Sequence, residues 1–143
     1  MAQRHATLTL RLEAHEALGS PLFFLGDYAA AWAHFEQGIT YIDPAAQAAE
    51  ALRHGVAPGV RCLALVANTL WCLGVPAQAV RRSQERLALA QALVHPHSLA
   101  VALHLVASLH LCCREAPAVQ AQAVALLRLA TAQGLPLYVG YGT

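Results

Sequence analysis

Apolar residues recur at helical spacing along almost the whole chain. Leu8, Leu12, His15, Leu18 and Leu22 fall three and four apart, which puts them on one face of a helix over about Arg4–Leu25. Pro21 lies inside that pattern, removes a backbone donor and is expected to kink the last turn. Gly26-Asp27 makes a turn, with Asp27 as N-cap of a second helix over about Tyr28–Ile42. That helix carries Trp32, Phe35, Ile39 and Ile42 on one face and ends at Asp43-Pro44, because the residue before a proline is pushed out of helical geometry. An additional short helix fits Ala45–Arg53, and Gly55 to Gly59 resets the chain. Four more helices are predicted over about Val60–Leu73, Ala77–Val94, His97–Cys113 and Pro117–Gln133. Gly74-Val75-Pro76, His95-Pro96 and Gly134 with Pro136 punctuate them. No strand pattern is present, and Ala and Leu, good helix formers, outnumber Val and Ile.

These helices pair into three hairpins, over about 4–42, 59–94 and 97–133. Leu25-Gly26…Ala31 aligns with Leu73-Gly74…Ala79, and small residues stand where paired helices must touch. The third copy is degenerate, with Arg114-Glu115-Ala116-Pro117 in place of Leu-Gly and Ala121 or Ala123 near the packing position. The predicted fold is all-α: a tetratricopeptide-like, right-handed solenoid of three antiparallel hairpins in a single domain over 1–143. Leu137 to Thr143 reads as the start of a truncated further repeat, stopping before a helix could bury anything, with no polar capping helix.

Composition sharpens this picture. Hydrophobic residues make up 57% and charged residues 12%, against a usual charged share of about 25%. Helices buried on several sides, or a surface that sits against more protein, account for that excess, and self-association is expected of the isolated chain. A net charge of +1 gives no electrostatic footprint for nucleic acid or anionic lipid. The chain has no lysine, as expected of a GC-rich coding sequence, so P-loop, Schiff-base and lysine-clamp chemistries are excluded. Cys62, Cys72, Cys112 and Cys113 form no C-x-x-C pair and follow no secretory signal, which fits reduced thiols in a cytoplasmic protein. The longest apolar run, Val60 to Val75, is shorter than the roughly 20 residues a bilayer needs.

Several segments carry a resemblance beyond the repeat itself. They are Glu16-Ala17-Leu18-Gly19-Ser20-Pro21-Leu22-Phe23-Phe24-Leu25-Gly26-Asp27-Tyr28, Ala33-His34-Phe35-Glu36-Gln37-Gly38-Ile39, Asp43-Pro44, Pro58-Gly59-Val60, Leu70-Trp71-Cys72-Leu73-Gly74 and His95-Pro96-His97-Ser98-Leu99-Ala100. Together they resemble the C-terminal tetratricopeptide-like repeats of large bacterial predicted ATPases, many fused to class III adenylate or guanylate cyclase domains. The resemblance implies a regulatory or interaction segment of a signalling protein, with the ATPase and cyclase modules upstream as candidate partners. It brings no catalytic residue, since neither a G-x-x-x-x-G-K-[ST] motif nor a suitable pair of cyclase aspartates is present.

Register nominates a groove for a protein or peptide partner. With Gly19, Ala67 and Ala107 as equivalent close-contact sites, the first helix of each hairpin should present Glu13, Glu16, Ser20 and Phe23, then Arg61, Asn68 and Trp71, then His104, Ser108 and Leu111. Tryptophan and arginine are the residues that carry binding energy at hot spots. The competing reading makes Trp71 and Phe23 core packing and Asn68 an inter-helix hydrogen bond. Two alternative functions are a small-ligand sensor with a closed pocket of Phe23, Asn68, Trp71 and His104, and a spacer or oligomerisation segment.

Other constellations are weaker. His95, His97, His104, His110, Cys112 and Cys113 are dense, but His104 and His110 lie about 600° apart around a helix, and His97 and His104 share a face with no third ligand; no metal or cofactor is expected. Cys112 and Cys113 sit at a helix C-terminus, where the dipole disfavours a thiolate, and no G-x-S-x-G elbow exists, so enzymatic activity is not expected. Arg81, Arg82 and Arg86, with Glu85 among them, read as a solvated helix face or a dock for an acidic partner.

Overall fold

Six of the seven prolines open a helix, where the missing N–H has no intrahelical partner to lose and the fixed φ is already helical. The computed structural model describes residues 2–143, and these form eight helices and no strand. They are α1 (Ala2–Phe24), α2 (Tyr28–Ile39), α3 (Pro44–His54), α4 (Pro58–Cys72), α5 (Pro76–Ala92), α6 (Pro96–Cys112), α7 (Ala116–Gln133) and α8 (Pro136–Gly142). The seventh proline, Pro21, is accommodated within α1, which continues to Phe24. Asp27 caps α2 by accepting from Ala30 N, Asp43 caps α3 by accepting from Ala45 N, and His95 caps α6 through Ser98 N. The start of α4 is held from a distance instead. Gly59 N donates to Gln47 Oε1 of α3 at 2.7 Å, and Ala57 N donates to Ser98 Oγ of α6 at 3.1 Å.

The turns after α1, α4 and α6 have one hydrogen-bond pattern. Leu25, Gly26 and Asp27 N–H groups donate to the carbonyls of Pro21, Phe23 and Leu22 at 2.9, 3.0 and 2.9 Å. Leu73, Gly74 and Val75 do the same to Thr69, Trp71 and Leu70 at 2.9, 3.0 and 3.0 Å. Cys113, Arg114 and Glu115 donate to Leu109, Leu111 and His110 at 3.0, 3.0 and 2.9 Å. The central residue is left-handed each time, with φ of +85° at Gly26, +80° at Gly74 and +59° at Arg114. The third turn therefore keeps the geometry although its sequence has lost the glycine. Such short connections fold α1 onto α2, α4 onto α5 and α6 onto α7 as antiparallel pairs. The first members then lie side by side, α1 on α4, α4 on α6 and α6 on α8, while α2 packs on α4 and α5 on α6.

Matching the three turns aligns the hairpins residue by residue. Gly19 lies against Phe35, whose ring fills the space a Cβ there would need. In the same register Ala67 and Ser83 take the places of Gly19 and Phe35 in the second hairpin, and Ala107 and Ala123 take them in the third. One turn further on, Gly38, Arg86 and Leu126 are equivalent, and all three are buried. A large residue at the first position thus goes with a small one at the second, and the reverse. Helices α4 and α6, flanked on both sides, supply most of the core; Val60, Cys62, Val66 and Ala67 of α4 and Ala100, Ala102 and Val106 of α6 are fully or almost fully buried. This shared burial explains the apolar composition.

Several expectations change. Leu18 and Trp32 share a row with the apolar residues of their helices, yet both are exposed, at 56% and 38%; the contact stripes run through Leu12 and Gly19 on α1 and Ala31, Phe35 and Gly38 on α2, where small residues allow close approach. Helix α2 ends at Ile39 rather than Ile42, and the additional helix between hairpins is real. The chain end does bury surface: α8 packs on α7, with Gly142 against Leu127 and Tyr138 against the Ala100, Leu103 and Leu126 cluster. Arg86 does not belong to a solvated patch. Arg82 does face solvent, paired with Glu36 at 2.9 Å and Glu85 at 2.8 Å, but Arg86 is fully buried. Among the described residues no single helix is long and apolar enough to cross a membrane; α3 and α4 reach that length and apolarity only together, and are bent by 97° where they meet.

Candidate functional site

Helices α1, α4 and α6 share one face, and its character changes along their length. Near the start of α4, Arg61 reaches across to α1 and donates from Nε and Nη2 to the two carboxylate oxygens of Glu16, at 2.9 and 3.0 Å. That charge-assisted bond is the main reason the Arg61 pKa is raised. Glu13 lies 3.8 Å from His54, which is 3.2 Å from Glu50, so this end is a polar network. Ser20 contributes little to it, because its hydroxyl donates to the Glu16 carbonyl at 2.7 Å.

Two to three helical turns further on, towards the hairpin turns, the face becomes apolar. Phe23 of α1, Asn68 and Trp71 of α4, and Leu105, Ser108 and Leu109 of α6 surround a cavity of about 280 Å³. Four of the residues that register nominated, Phe23, Asn68, Trp71 and Ser108, therefore meet at one place. Trp71 is 40% exposed and lines a second cavity as well, of about 640 Å³, with Pro76, Val80, Cys113 and Glu115. A third, of about 410 Å³, contains Leu111, Arg114 and Glu115. Trp71 thus stands as a partition between two open hollows. Ser108 donates to the His104 carbonyl at 2.9 Å, leaving its oxygen lone pairs as acceptors. The Asn68 amide is not held by a neighbouring helix among the described residues, so both of its polar ends are free to meet a ligand.

His104 is separated from this group. Its ring stacks on Tyr141 of α8 with centroids 4.3 Å apart and planes 17° apart. Burial, and then the charge of Arg86, hold its pKa below the ordinary imidazole value. A pocket joining His104 to Phe23, Asn68 and Trp71 is therefore not what this fold builds. Leu111, 66% exposed, belongs to the third hollow. The apolar partners Leu105, Leu109 and Cys112, and the tyrosines of α8, carried no sequence signal that set them apart from other Leu, Cys or Tyr positions.

Two of the remaining histidines are held by neighbours. His97 bonds to the Tyr138 hydroxyl at 3.0 Å, and His110 bonds to Glu115 across the third turn. Among the described residues no three His, Cys, Asp or Glu side chains converge to hold a metal ion. Burial pushes the Cys62 thiol up to about 12, and burial with the neighbouring Glu115 and Cys112 raises Cys113, so both favour the unreactive protonated form. No protein-family model matches the chain, and comparison with curated proteins gives no match.

Proposed function

We propose that this chain is a tetratricopeptide-like interaction module whose α1–α4–α6 face receives a peptide or helix from another protein. The observation that carries the reading is the convergence of Phe23, Asn68, Trp71 and Ser108 on one open apolar cavity. An exposed tryptophan between two hollows is a hot-spot arrangement: apolar side chains of a partner fill the hollows, and the indole supplies area without losing much rotamer freedom. Asn68 and Ser108 then bond the partner's backbone and set its register. The Glu16–Arg61 pair is already neutralised, so affinity comes from the apolar end and the polar end contributes orientation. Repetition of one turn geometry in three hairpins supports the solenoid reading. The sequence resemblance to the repeats of ATPase–cyclase proteins supports a regulatory place beside nucleotide-dependent signalling domains.

The test is selection of peptides from a displayed library on the immobilised chain, followed by calorimetry. Trp71→Ala is expected to weaken a selected peptide at least tenfold, and Asn68→Ala severalfold, whereas Trp32→Ala, on the outer helix α2, leaves affinity unchanged. Equal binding by wild type and Trp71→Ala overturns the assignment of this face.

A further inference from the structure

The guanidinium of Arg86 lacks a counter-charge. Its side chain is fully buried, and Nη2 donates to Ser83 Oγ at 3.1 Å. Among the described residues, Nε and Nη1 of Arg86 are the only buried side-chain nitrogen or oxygen atoms without a hydrogen-bond partner. Register makes the position more unusual, since the equivalent residues of the other hairpins are Gly38 and Leu126, neither with a charge to satisfy. Burial lowers the Arg86 pKa to about 10, which still leaves a cation at neutral pH.

The chain has no acid to spare for it. Of eight side-chain carboxylates, Glu16 is paired with Arg61, Glu36 and Glu85 with Arg82, and Glu50 with Arg53, while Glu13 and Glu50 both lie beside His54. Asp43 bonds His5, Glu115 bonds His110, and Asp27 caps α2. A buried cation with two unmet donor groups is strongly disfavoured unless a partner arrives, and that partner has to come from outside the chain.

We infer that Arg86 is the receptor for an oxyanion, a carboxylate or phosphate group, that reaches it between the helices packed around α5. Helix α5, which carries Arg86, packs against α4 and α6, and the Arg86 charge helps lower the pKa of His104 on α6. Helix α8 rests there through the Tyr141–His104 stack and the Tyr138–His97 hydrogen bond, while Leu137 and Tyr141 remain 60% and 53% exposed. An anion that binds satisfies both free donor groups and removes the uncompensated charge, and because Arg86 is fully buried its entry requires local opening, so binding and opening are coupled. This site is distinct from the Trp71 cavity, whose lining does not include Arg86.

The test is thermal unfolding of the full chain in a zwitterionic buffer with inorganic phosphate, sulfate, acetate or citrate, each against sodium chloride at equal ionic strength. A saturating oxyanion is expected to raise the wild-type midpoint by about 3–8 °C over chloride. Arg86→Met should start from a higher midpoint and show no oxyanion-specific rise, and Arg86→Lys should keep part of it. A response to phosphate and sulfate alone identifies a phosphoryl ligand, and a response to acetate or citrate alone a carboxylate. Equal responses in wild type and Arg86→Met, or no wild-type response to any of the four, overturn the inference. Peptide binding at Trp71 is measured separately, so either site can fail without the other.

Discussion

Gly19→Ala tests the packing between the first two helices. A Cβ at Gly19 would lie 2.5, 2.8 and 2.9 Å from Phe35 Cε1, Cδ1 and Cζ, where carbon atoms prefer about 3.5–4.0 Å. The ring would have to retreat by about 1 Å. It has no room to do so, being fully buried among Leu12, Ala31, Cys62 and Val66. Overpacking of this kind costs about 1–3 kcal/mol, offset by up to about 1 kcal/mol because alanine is the better helix former. A net loss of about 1–2 kcal/mol is therefore expected. The aligned hairpins indicate the remedy: alanine is native at this position where the facing residue is small, as with Ala67 and Ser83. Phe35→Leu alone should destabilise by leaving a void. Gly19→Ala with Phe35→Leu should be less unstable than the sum of the singles by at least about 1 kcal/mol. Urea unfolding followed by far-UV circular dichroism measures all four chains. If Gly19→Ala is neutral or stabilising, or if the two changes simply add, the Gly19–Phe35 contact is not as described and the repeat alignment loses its packing basis.

Val94, β-branched, 88% exposed and left-handed at φ +51°, should give way to glycine with a gain of up to about 1 kcal/mol: relief of about 1–2 kcal/mol of strain exceeds the extra entropy glycine brings to the unfolded chain. Arg114→Gly restores the residue that the other two turns use and should gain about 0.5 kcal/mol, read as a higher urea midpoint at unchanged slope. Arg86→Met should stabilise the chain by about 1–3 kcal/mol in oxyanion-free buffer. Here the folded pKa, about 10, lies below the ordinary arginine value, so the penalty is fully present below about pH 10 and fades only above it. The gain is thus expected to be flat from pH 6 to 8, and destabilisation by Arg86→Met or a slope across that range refutes it. Glu16→Gln should cost no more than about 1 kcal/mol, since Arg61 is over a third exposed, and the loss should shrink in high salt; a salt-independent loss would show that the pair acts through packing.

Much of the architecture was legible because proline and glycine act locally. Pro76 and Pro96 mark helix starts and Gly26, Gly74 and Gly134 mark turns, whereas Asp43-Pro44 and Pro136, read as helix ends, also open α3 and α8. The third turn was illegible for the converse reason. Backbone hydrogen bonds and the two packed helices hold Arg114 in a conformation its side chain disfavours, and no composition rule signals that. The small residues at the contact positions were legible, but the apolar rows of α1 and α2 each include a large side chain that is exposed, Leu18 and Trp32. In helices this rich in alanine, contact is made where small residues let backbones approach, so Leu18 and Trp32 point outward while Gly19 and Ala31 are buried. Arg86 was read from its neighbours Arg81, Arg82 and Glu85, although the helical step from Ala79 through Ser83 to Ala90 already places it on the buried stripe. Phe23, Asn68, Trp71 and Ser108 could be brought together from register alone because equivalent rows of adjacent hairpins line up. His104 could not be placed correctly without α8, whose seven residues are held by aromatic contacts rather than by an apolar periodicity.

The most direct measurement is amide and indole chemical-shift mapping of the isotopically labelled chain as a selected peptide is added. Shift changes and intermolecular contacts centred on Phe23, Asn68, the Trp71 indole and Ser108, with α2 and α7 silent, are the predicted result. Changes centred on the outer helices, or a Trp71 indole resonance that does not move at saturation, would contradict the claim that this face is where a partner binds.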